Sequence, residues 1–147
     1  MIIERNLSKF IVFSEDSLIN ALGKISDNKN GVVFSVSESG QIDGILTDGD
    51  FRRWITSTVN IDLNIPVRMV CNKQFLSLPF DTPHEEIEAA FNDRISVIPL
   101  VDKYLHLLAI SLRKPAEFMI GDFPIGDDKP AFIIAEIGNN HNGSLDL

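Results

Sequence analysis

An internal duplication is the feature that most restricts how this chain can fold. Hydrophobic spacing in the first half predicts a strand, a helix, two strands and a second helix, in that order. The strand, helix, strand, strand order begins again about 65 residues later. A unit of this kind leaves one sheet face and one helix face uncovered, so the two copies are expected to share a core.

The first copy is assigned to residues 1–58. Its helix is indicated by Leu18, Ala21, Leu22 and Ile25, which recur at helical spacing, and Gly31 is expected to end it. The predicted elements are a strand at 10–13, a helix over 18–25, strands at 32–36 and 42–46, and a helix over 51–59.

The second copy is assigned to residues 59–117, with residues 58–66 as the link. Asp81, Thr82 and Pro83 are typical of a helix start. The predicted elements are a strand at 75–78, a helix over 83–91, and strands at 96–101 and 107–110. Ser111 then stands where Thr47 stood in the first copy. The sequence therefore predicts a mixed α/β (α+β) pair of βαββα repeats.

Composition excludes several classes of protein. The chain has 147 residues, 44% of them hydrophobic, which suits a packed globular core. A net charge of −8 disfavours nucleic-acid binding through a broad basic face. No signal peptide and no apolar stretch of membrane-spanning length is present, and Cys71 is the single cysteine. We therefore expect a cytoplasmic protein with an idle thiol, without membrane or nucleic-acid partners.

The segment with most chemical content covers residues 44–53, where a predicted strand runs directly into a helix. Amide groups at a helix start attract an anion, so a phosphate is expected there, with the Thr47 hydroxyl as a further donor. The carboxylate of Asp50 accepts hydrogen bonds, as a ribose diol requires. Arg52 and Arg53 supply positive charge nearby.

The helix end and each hydrogen bond contribute about 0.3–3 kcal/mol of binding free energy, which permits micromolar binding at best. Further affinity requires that the nucleotide base lies between apolar side chains. By topology, the nearest candidates are Ile11, Val12, Val33 and Phe34. Another interpretation remains open. Asp48 and Asp50 are also ordinary acids at a helix start, with Thr47 as the cap and Asp50 paired with Arg53 or Trp54 on the helix surface.

Residues 44–53, GILTDGDFRR, resemble the signature of CBS domains, and the resemblance extends over about residues 6–117. It implies tandem βαββα units that often form dimers and that hold adenosine-type nucleotides between the repeats. Thr47 and Asp50 match the positions that contact phosphate and ribose in that family. In the second copy, Leu108 replaces the glycine and Lys114 replaces the acid, so we expect at most one ribose site per chain.

Residues 118–147 do not continue the repeat. Residues 120–129 suit a hairpin or linker, and residues 132–137 predict a strand buried on both sides, followed by a polar loop. This arrangement is typical of the first βα unit of a barrel, whose chemistry lies at the carboxyl ends of strands. The strand could instead pair with an exposed edge of the repeat sheet or of a neighbouring chain.

Residues 130–144, PAFIIAEIGNNHNGS, are similar to the start of the N-acetylneuraminate (sialic acid) synthase barrel. That family condenses phosphoenolpyruvate with an N-acylated hexosamine. Glu136 matches its sugar-substrate acid, and His141 belongs to the same active-site loop. The resemblance implies a divalent metal in the parent barrel only. His84, His106 and His141 have no metal-ligand spacing, so no metal or cofactor is expected in this chain.

Three functions compete at this point. The first is a regulatory module that senses AMP, ATP or a CMP-sugar for a sialic-acid-synthase-like enzyme, with the synthase barrel as its partner. The second is a structural dimerisation module, a homodimer whose pocket has lapsed. The third is an enzyme in its own right, but the sequence shows no catalytic nucleophile paired with a general base. We expect this chain to be no catalyst by itself, and to belong to a parent transferase.

Overall fold

The computed structural model describes residues 1–114, 118–126 and 129–134. The chain divides into two compact units, Met1–Lys114 and Pro115–Leu147. The elements of the first unit, in chain order, are β1 Ile2–Glu4, β2 Ile11–Phe13, α1 Leu18–Asn28, β3 Val32–Val36, β4 Ile42–Thr47, α2 Asp48–Ser57, β5 Leu78–Pro79, α3 His84–Ala90, β6 Val97–Val101 and β7 Leu107–Leu112. Short 3-10 turns lie at Leu7–Lys9 and Val67–Met69.

The first unit contains two sheets that repeat one pattern. In the first sheet, of order β2-β3-β4, β2 runs parallel to β3 and β3 runs antiparallel to β4. In the second, of order β1-β7-β6-β5, β5 runs parallel to β6 and β6 antiparallel to β7. Both antiparallel pairs also carry a register shift at the same place, after Ser35 and after Leu100. The predicted mixed fold of two related units is confirmed.

Strand β1 was not predicted, and it crosses to the sheet of the second copy. Ile3 pairs with Ser111 in an antiparallel ladder between β1 and β7. The sheets therefore do not follow the sequence division at residues 58 and 59, which stays a prediction about the repeated units. A three-residue strand gives too little periodicity to recognise in sequence, and only its partner stabilises it.

Helix α1 forms where its apolar stripe predicts it and continues to Asn28. Leu18, Ala21 and Ile25 are buried on one face. Asn28, also buried, donates from its amide to the carbonyls of Lys9 and Val32, 3.1 and 2.8 Å away, which ties the helix end to the 3-10 turn before β2 and to the start of β3. None of the described helices is long and apolar enough to span a lipid bilayer.

Three apolar cores hold the first unit together. The central one combines residues of both sheets, including Phe34 of β3 and Ile110 of β7, each fully buried. A second core lies under α1, with Leu46 and Val67, and a third lies under α3, with Ile87 and Ile98. Since the central core draws on both copies, neither sheet buries its apolar face without the other.

In the second copy, the predicted strand at 75–78 is shorter, and the structure begins β5 at Leu78. Pro79 has no backbone N–H and suits this edge position. After β7, the described residues 113–114 are not helical. Phe75, which was expected to belong to the strand at 75–78, packs against the central core instead, and its sequence pattern did not predict this contact.

In the second unit, β8 Phe118–Ile120 and β9 Phe123–Ile125 form an antiparallel hairpin turning at Gly121. This agrees with the hairpin interpretation of that segment. The strand expected at 132–137 does not appear in its described part: residues 132–134 form neither helix nor strand, and Ile133 is 86% exposed. A buried strand needs flanking strands, and none of the strands that the structure describes pairs with residues 132–134. Glu136 and His141 lie outside the described residues.

Candidate ligand-binding site

A cleft of about 370 Å³ lies between the two copies in the first unit. This volume is within the range of about 300–1,000 Å³ that small-molecule sites occupy. Its lining comes from four stretches of the chain: residues 30–32 at the start of β3, residues 45–53 where β4 runs into α2, residues 72–76 of the connecting segment, which is defined as residues 58–77 between α2 and β5, and residues 94–97 at the start of β6. The lining residues are Asn30, Gly31, Val32, Ile45, Thr47, Asp48, Gly49, Asp50, Arg53, Asn72, Gln74, Phe75, Leu76, Arg94, Ile95, Ser96 and Val97.

Thr47 and Asp50 form a reciprocal cap at the start of α2. The Asp50 backbone N–H donates to Thr47 Oγ1 at 3.1 Å, and the Thr47 backbone N–H donates to Asp50 Oδ2 at 2.9 Å. The Thr47 hydroxyl also donates to the same carboxylate oxygen. Two otherwise unpaired donors are satisfied in this way. The cap holds both side chains, which the sequence singled out, at the wall of the cleft.

Arg53 occupies the second oxygen of that carboxylate. Its Nη2 donates to Asp50 Oδ1 at 2.6 Å, one turn along α2. Asp50 is only 10% exposed while Arg53 is 73% exposed, so the pair reaches from the wall of the cleft towards solvent. The structure thus contains the cap and ion pair of the alternative interpretation. It also places the same residues beside a cleft, so capping does not by itself exclude ligand contact.

The amides at the start of α2 are less available than the sequence suggested. The Asp48 N–H donates to the carbonyl of Gly31 at 3.2 Å, and the Asp50 N–H is used by the cap. Asp48 also places a carboxylate beside Gly31 at the rim of the cleft. An anion at this helix start consequently depends on the nearby guanidinium groups more than on backbone amides.

The other predicted contact residues lie elsewhere. Arg52 is exposed on α2 and is not part of the cleft lining. Val12, Val33 and Phe34 are at most 1% exposed, within the cores, and Ile11 is half-buried beside the central core. The structure does not bring these four apolar residues to the cleft. Val33 and Phe34 lie on the middle strand of their sheet, and Ile11 and Val12 lie on β2, at the sheet edge away from β4, where they pack against the cores.

Different apolar residues line the cleft. Ile45 and Val97 come from strands of the two sheets, and Phe75 and Leu76 come from the connecting segment. The repeat pattern could have indicated Val32 and Val97, since each begins the middle strand of its copy. Phe75 and Leu76 had no such signal, because their position depends on how the connecting segment returns across β4.

Arg94 brings a second guanidinium to the cleft from the other copy. It sits in a tight turn in which the Asn92 side chain accepts from the amides of Arg94 and Ile95, at 2.9 and 3.1 Å. The neighbouring acid, Asp93, lies 3.7 Å from Arg113. Arg94 makes no ion pair within the described part of the chain. Sequence reasoning missed this residue because it lies outside any motif.

By strand register the counterpart of Thr47 in the second copy is Leu112 and not Ser111, as the sequence had suggested, because Val32 pairs with Thr47 and Val97 pairs with Leu112. Ser111 matches Leu46 and is fully buried. It pairs with Ile3 of β1, and its hydroxyl donates to the sulfur of Met1 at 3.3 Å. Strand β1 pairs with β7 at Ile110, the register equivalent of Ile45, which pairs with Asn72 in the first copy. Leu112 has no hydroxyl group, and the single ribose site per chain stays a prediction.

The connecting segment is fastened to β4 next to the cleft. Asn72 and Ile45 exchange two backbone hydrogen bonds, of 2.9 and 2.8 Å. Burial, followed by the nearby charge of Asp43, raises the pKa of the Cys71 thiol to about 12. The thiol is consequently protonated at neutral pH and not poised for nucleophilic chemistry.

No protein-family model matches the sequence, and no curated protein matches it either. Solved structures do resemble it. The CBS domains of a transcriptional regulator from Streptococcus pneumoniae superpose with a TM-score of 0.59 at 13% identity, over 71% of this chain and 82% of that chain. CBSX2 in complex with AMP has a TM-score of 0.60 at 19% identity, over 77% and 86% of the two chains.

A third similar structure is the Listeria monocytogenes CbpB protein in complex with c-di-AMP. Its TM-score is 0.60 at 19% identity, over 70% of this chain and 79% of that chain. Identities this low establish the fold alone. Together with the repeated sheet topology, they show that this chain has the fold of a CBS domain pair.

Proposed function

We propose that this chain is a regulatory module that binds an adenosine-type or sugar nucleotide in the cleft between its two copies. The observation that carries the proposal is the meeting of Thr47, Asp50 and Arg53 at the wall of a cleft that the second copy closes with Arg94. Two similar folds hold AMP and c-di-AMP in their solved structures, which supports a nucleotide as the ligand.

The groups around the cleft match the parts of a nucleotide. Arg53 and Arg94 provide positive charge for phosphate, and Asp50 provides a carboxylate for ribose hydroxyls. Ile45 and Phe75 provide apolar surface for a base. Charge-assisted hydrogen bonds contribute about 1.5–3 kcal/mol each, so a few of them together with an apolar contact correspond to micromolar affinity.

Regulation follows from the cleft having walls from both copies. A ligand that contacts both walls binds most tightly to the arrangement of the two copies in which both walls reach it. It therefore favours that arrangement over the others. The difference in affinity sets the size of the effect, usually about 1–3 kcal/mol. We propose that this coupling reaches a partner domain or a second copy of the chain.

The test is calorimetric titration of the wild-type chain and of Asp50→Ala with AMP, ATP, CMP and CMP-sialic acid. Saturable binding that weakens at least about tenfold in the variant supports the proposal. Since Asp50 also caps α2, Asp16→Ala serves as the control. Asp16 accepts from the Phe13 amide at 2.8 Å and lies outside the cleft, so this variant also loses a local hydrogen bond but should bind normally.

The second candidate is a dimerisation module without a ligand. It is favoured by the saturation of Asp50 by Thr47 and Arg53, which leaves the cap complete without any ligand. This candidate would replace the sensing proposal if none of the four nucleotides binds and if sedimentation experiments show concentration-dependent dimer formation.

We further propose that the module belongs to an N-acetylneuraminate-synthase-like transferase. The proposal rests on residues 130–144, in which Glu136 and His141 match the active-site loop of that family. The divalent metal of such a reaction would bind in the parent barrel. The test is consumption of phosphoenolpyruvate with an N-acylated hexosamine by the protein that carries this segment in the cell. No consumption, with or without AMP, would contradict this part.

A further inference from the structure

The carboxylate of Asp50 is nearly saturated before any ligand arrives. A carboxylate offers about four acceptor positions, and three donors already use them: the Thr47 amide, the Thr47 hydroxyl and Arg53 Nη2. A ribose diol brings two hydroxyl donors, so one existing donor has to leave. The Thr47 donors belong to the helix cap, which leaves Arg53 as the donor that can be displaced.

The guanidinium of Arg53 lies across the start of α2. A Cβ added at Gly49 would stand 3.5 Å from Nη1 and 3.9 Å from Nη2 of Arg53. The same group therefore holds the Asp50 carboxylate and covers the first turn, where a phosphate is expected. Since Arg53 is 73% exposed and hydrogen-bonds Asp50 with a single nitrogen, its side chain is able to move without disturbing a core.

We infer that Arg53 makes the cleft selective for phosphorylated nucleosides over neutral ones. This inference rests on the proposed function and states which class of ligand the cleft prefers. A neutral nucleoside displaces Arg53 from Asp50 and leaves the guanidinium without a replacement anion. A nucleotide supplies one through its own phosphate, so the ion pair with Asp50 is exchanged for an ion pair with the ligand.

Asp48 is the other acid close to this exchange. Its carboxylate lies beside Gly31 at the rim of the cleft, where it repels a phosphate. This repulsion increases the need for Arg53 beside the phosphate. The expected preference for a phosphorylated ligand is about tenfold, which corresponds to about 1.4 kcal/mol.

The test compares adenosine with AMP by calorimetric titration, using the wild type, Arg53→Ala, Arg53→Lys and Arg68→Ala. Arg68→Ala is the matched control, because Arg68 is also an exposed arginine paired with a carboxylate, that of Glu15, and lies outside the cleft. Thermal unfolding of each variant checks that it folds.

For Arg53→Ala we expect tighter adenosine binding, by about threefold, and weaker AMP binding, by about tenfold. Arg53→Lys should keep most of the preference for AMP, and Arg68→Ala should match the wild type. If the affinities for adenosine and AMP change by the same factor in Arg53→Ala, or if neither affinity changes, the inference is overturned. Binding by the wild type would still uphold the proposed function in that case. If the wild type binds neither adenosine nor AMP, the same comparison is made between another nucleotide of the panel that binds and its nucleoside. No binding to any of them would overturn both the inference and the proposed function.

Discussion

Gly44 of β4 lies against Cys71 of the connecting segment so closely that a Cβ on residue 44 would stand 2.6 Å from the Cβ of Cys71. Carbon atoms this close clash, so β4 can lie this close to Cys71 only with a glycine at position 44. The contact lies beside the two hydrogen bonds that join Ile45 to Asn72. It therefore fixes the route by which Phe75 and Leu76 reach the cleft.

Gly44→Ala is expected to destabilise the chain by about 1–3 kcal/mol, because the added methyl group would clash with the Cβ of Cys71. The midpoint of urea denaturation measures the change. Since the clash involves the Cβ of Cys71 and not mainly its sulfur, which is 3.6 Å away, Cys71→Ala should not relieve it. The double variant with Cys71→Gly should recover part of the loss. Full recovery by Cys71→Ala would contradict this account.

Cys71 gives stability a pH dependence in the alkaline range. The folded chain holds the thiol pKa at about 12, above its ordinary value of 9.0, through burial and then the charge of Asp43. The unfolded chain thus loses its thiol proton first as pH rises. The contribution is complete below pH 9.0 and is lost progressively towards pH 12.

The measurement is the free energy of unfolding of the wild type and of Cys71→Ala at pH 8 and at pH 10.5. The wild type should lose more stability than the variant between these two values. In the folded state at pH 8 the thiol should also react far more slowly with a disulfide reagent than in urea. Equal losses in both proteins would show that the thiol does not titrate as described.

Arg94→Gln is expected to weaken AMP binding by about three- to fivefold, the effect of one exposed charged contact, and to leave adenosine binding unchanged. Its physical basis is the position of this guanidinium on the wall that the second copy contributes. Raising the salt concentration should reduce the difference between the variant and the wild type. Both effects are measured by titration calorimetry.

Lys103→Gln is the control for Arg94→Gln. It removes the same charge from the same copy, but Lys103 lies beyond the opposite end of β6 from Arg94. The length of β6, about 13 Å at about 3.3 Å per residue, separates the two ends. Loss of AMP affinity in both variants would indicate a general effect of net charge and not a contact at the cleft.

The sequence by itself determined the repeated elements. The apolar stripe of α1, the five-residue strand β3 and the strand-to-helix junction at Thr47 all lie where their local pattern predicts them. Local patterns were sufficient because periodic burial and helix capping depend on residues a few positions apart. Thr47 and Asp50 were also identified in this way, together with the two interpretations of their pairing.

Only the tertiary structure decided which residues surround the cleft. It carried β1 across to β7, buried Val33 and Phe34 inside a core, and brought Arg94 and Phe75 to the cleft. These placements depend on contacts between residues far apart in the chain, such as Gly44 with Cys71, which leave no periodic trace in the sequence. Capping is a local property, whereas a cleft is made by separate segments, and its lining exists only once they are packed together.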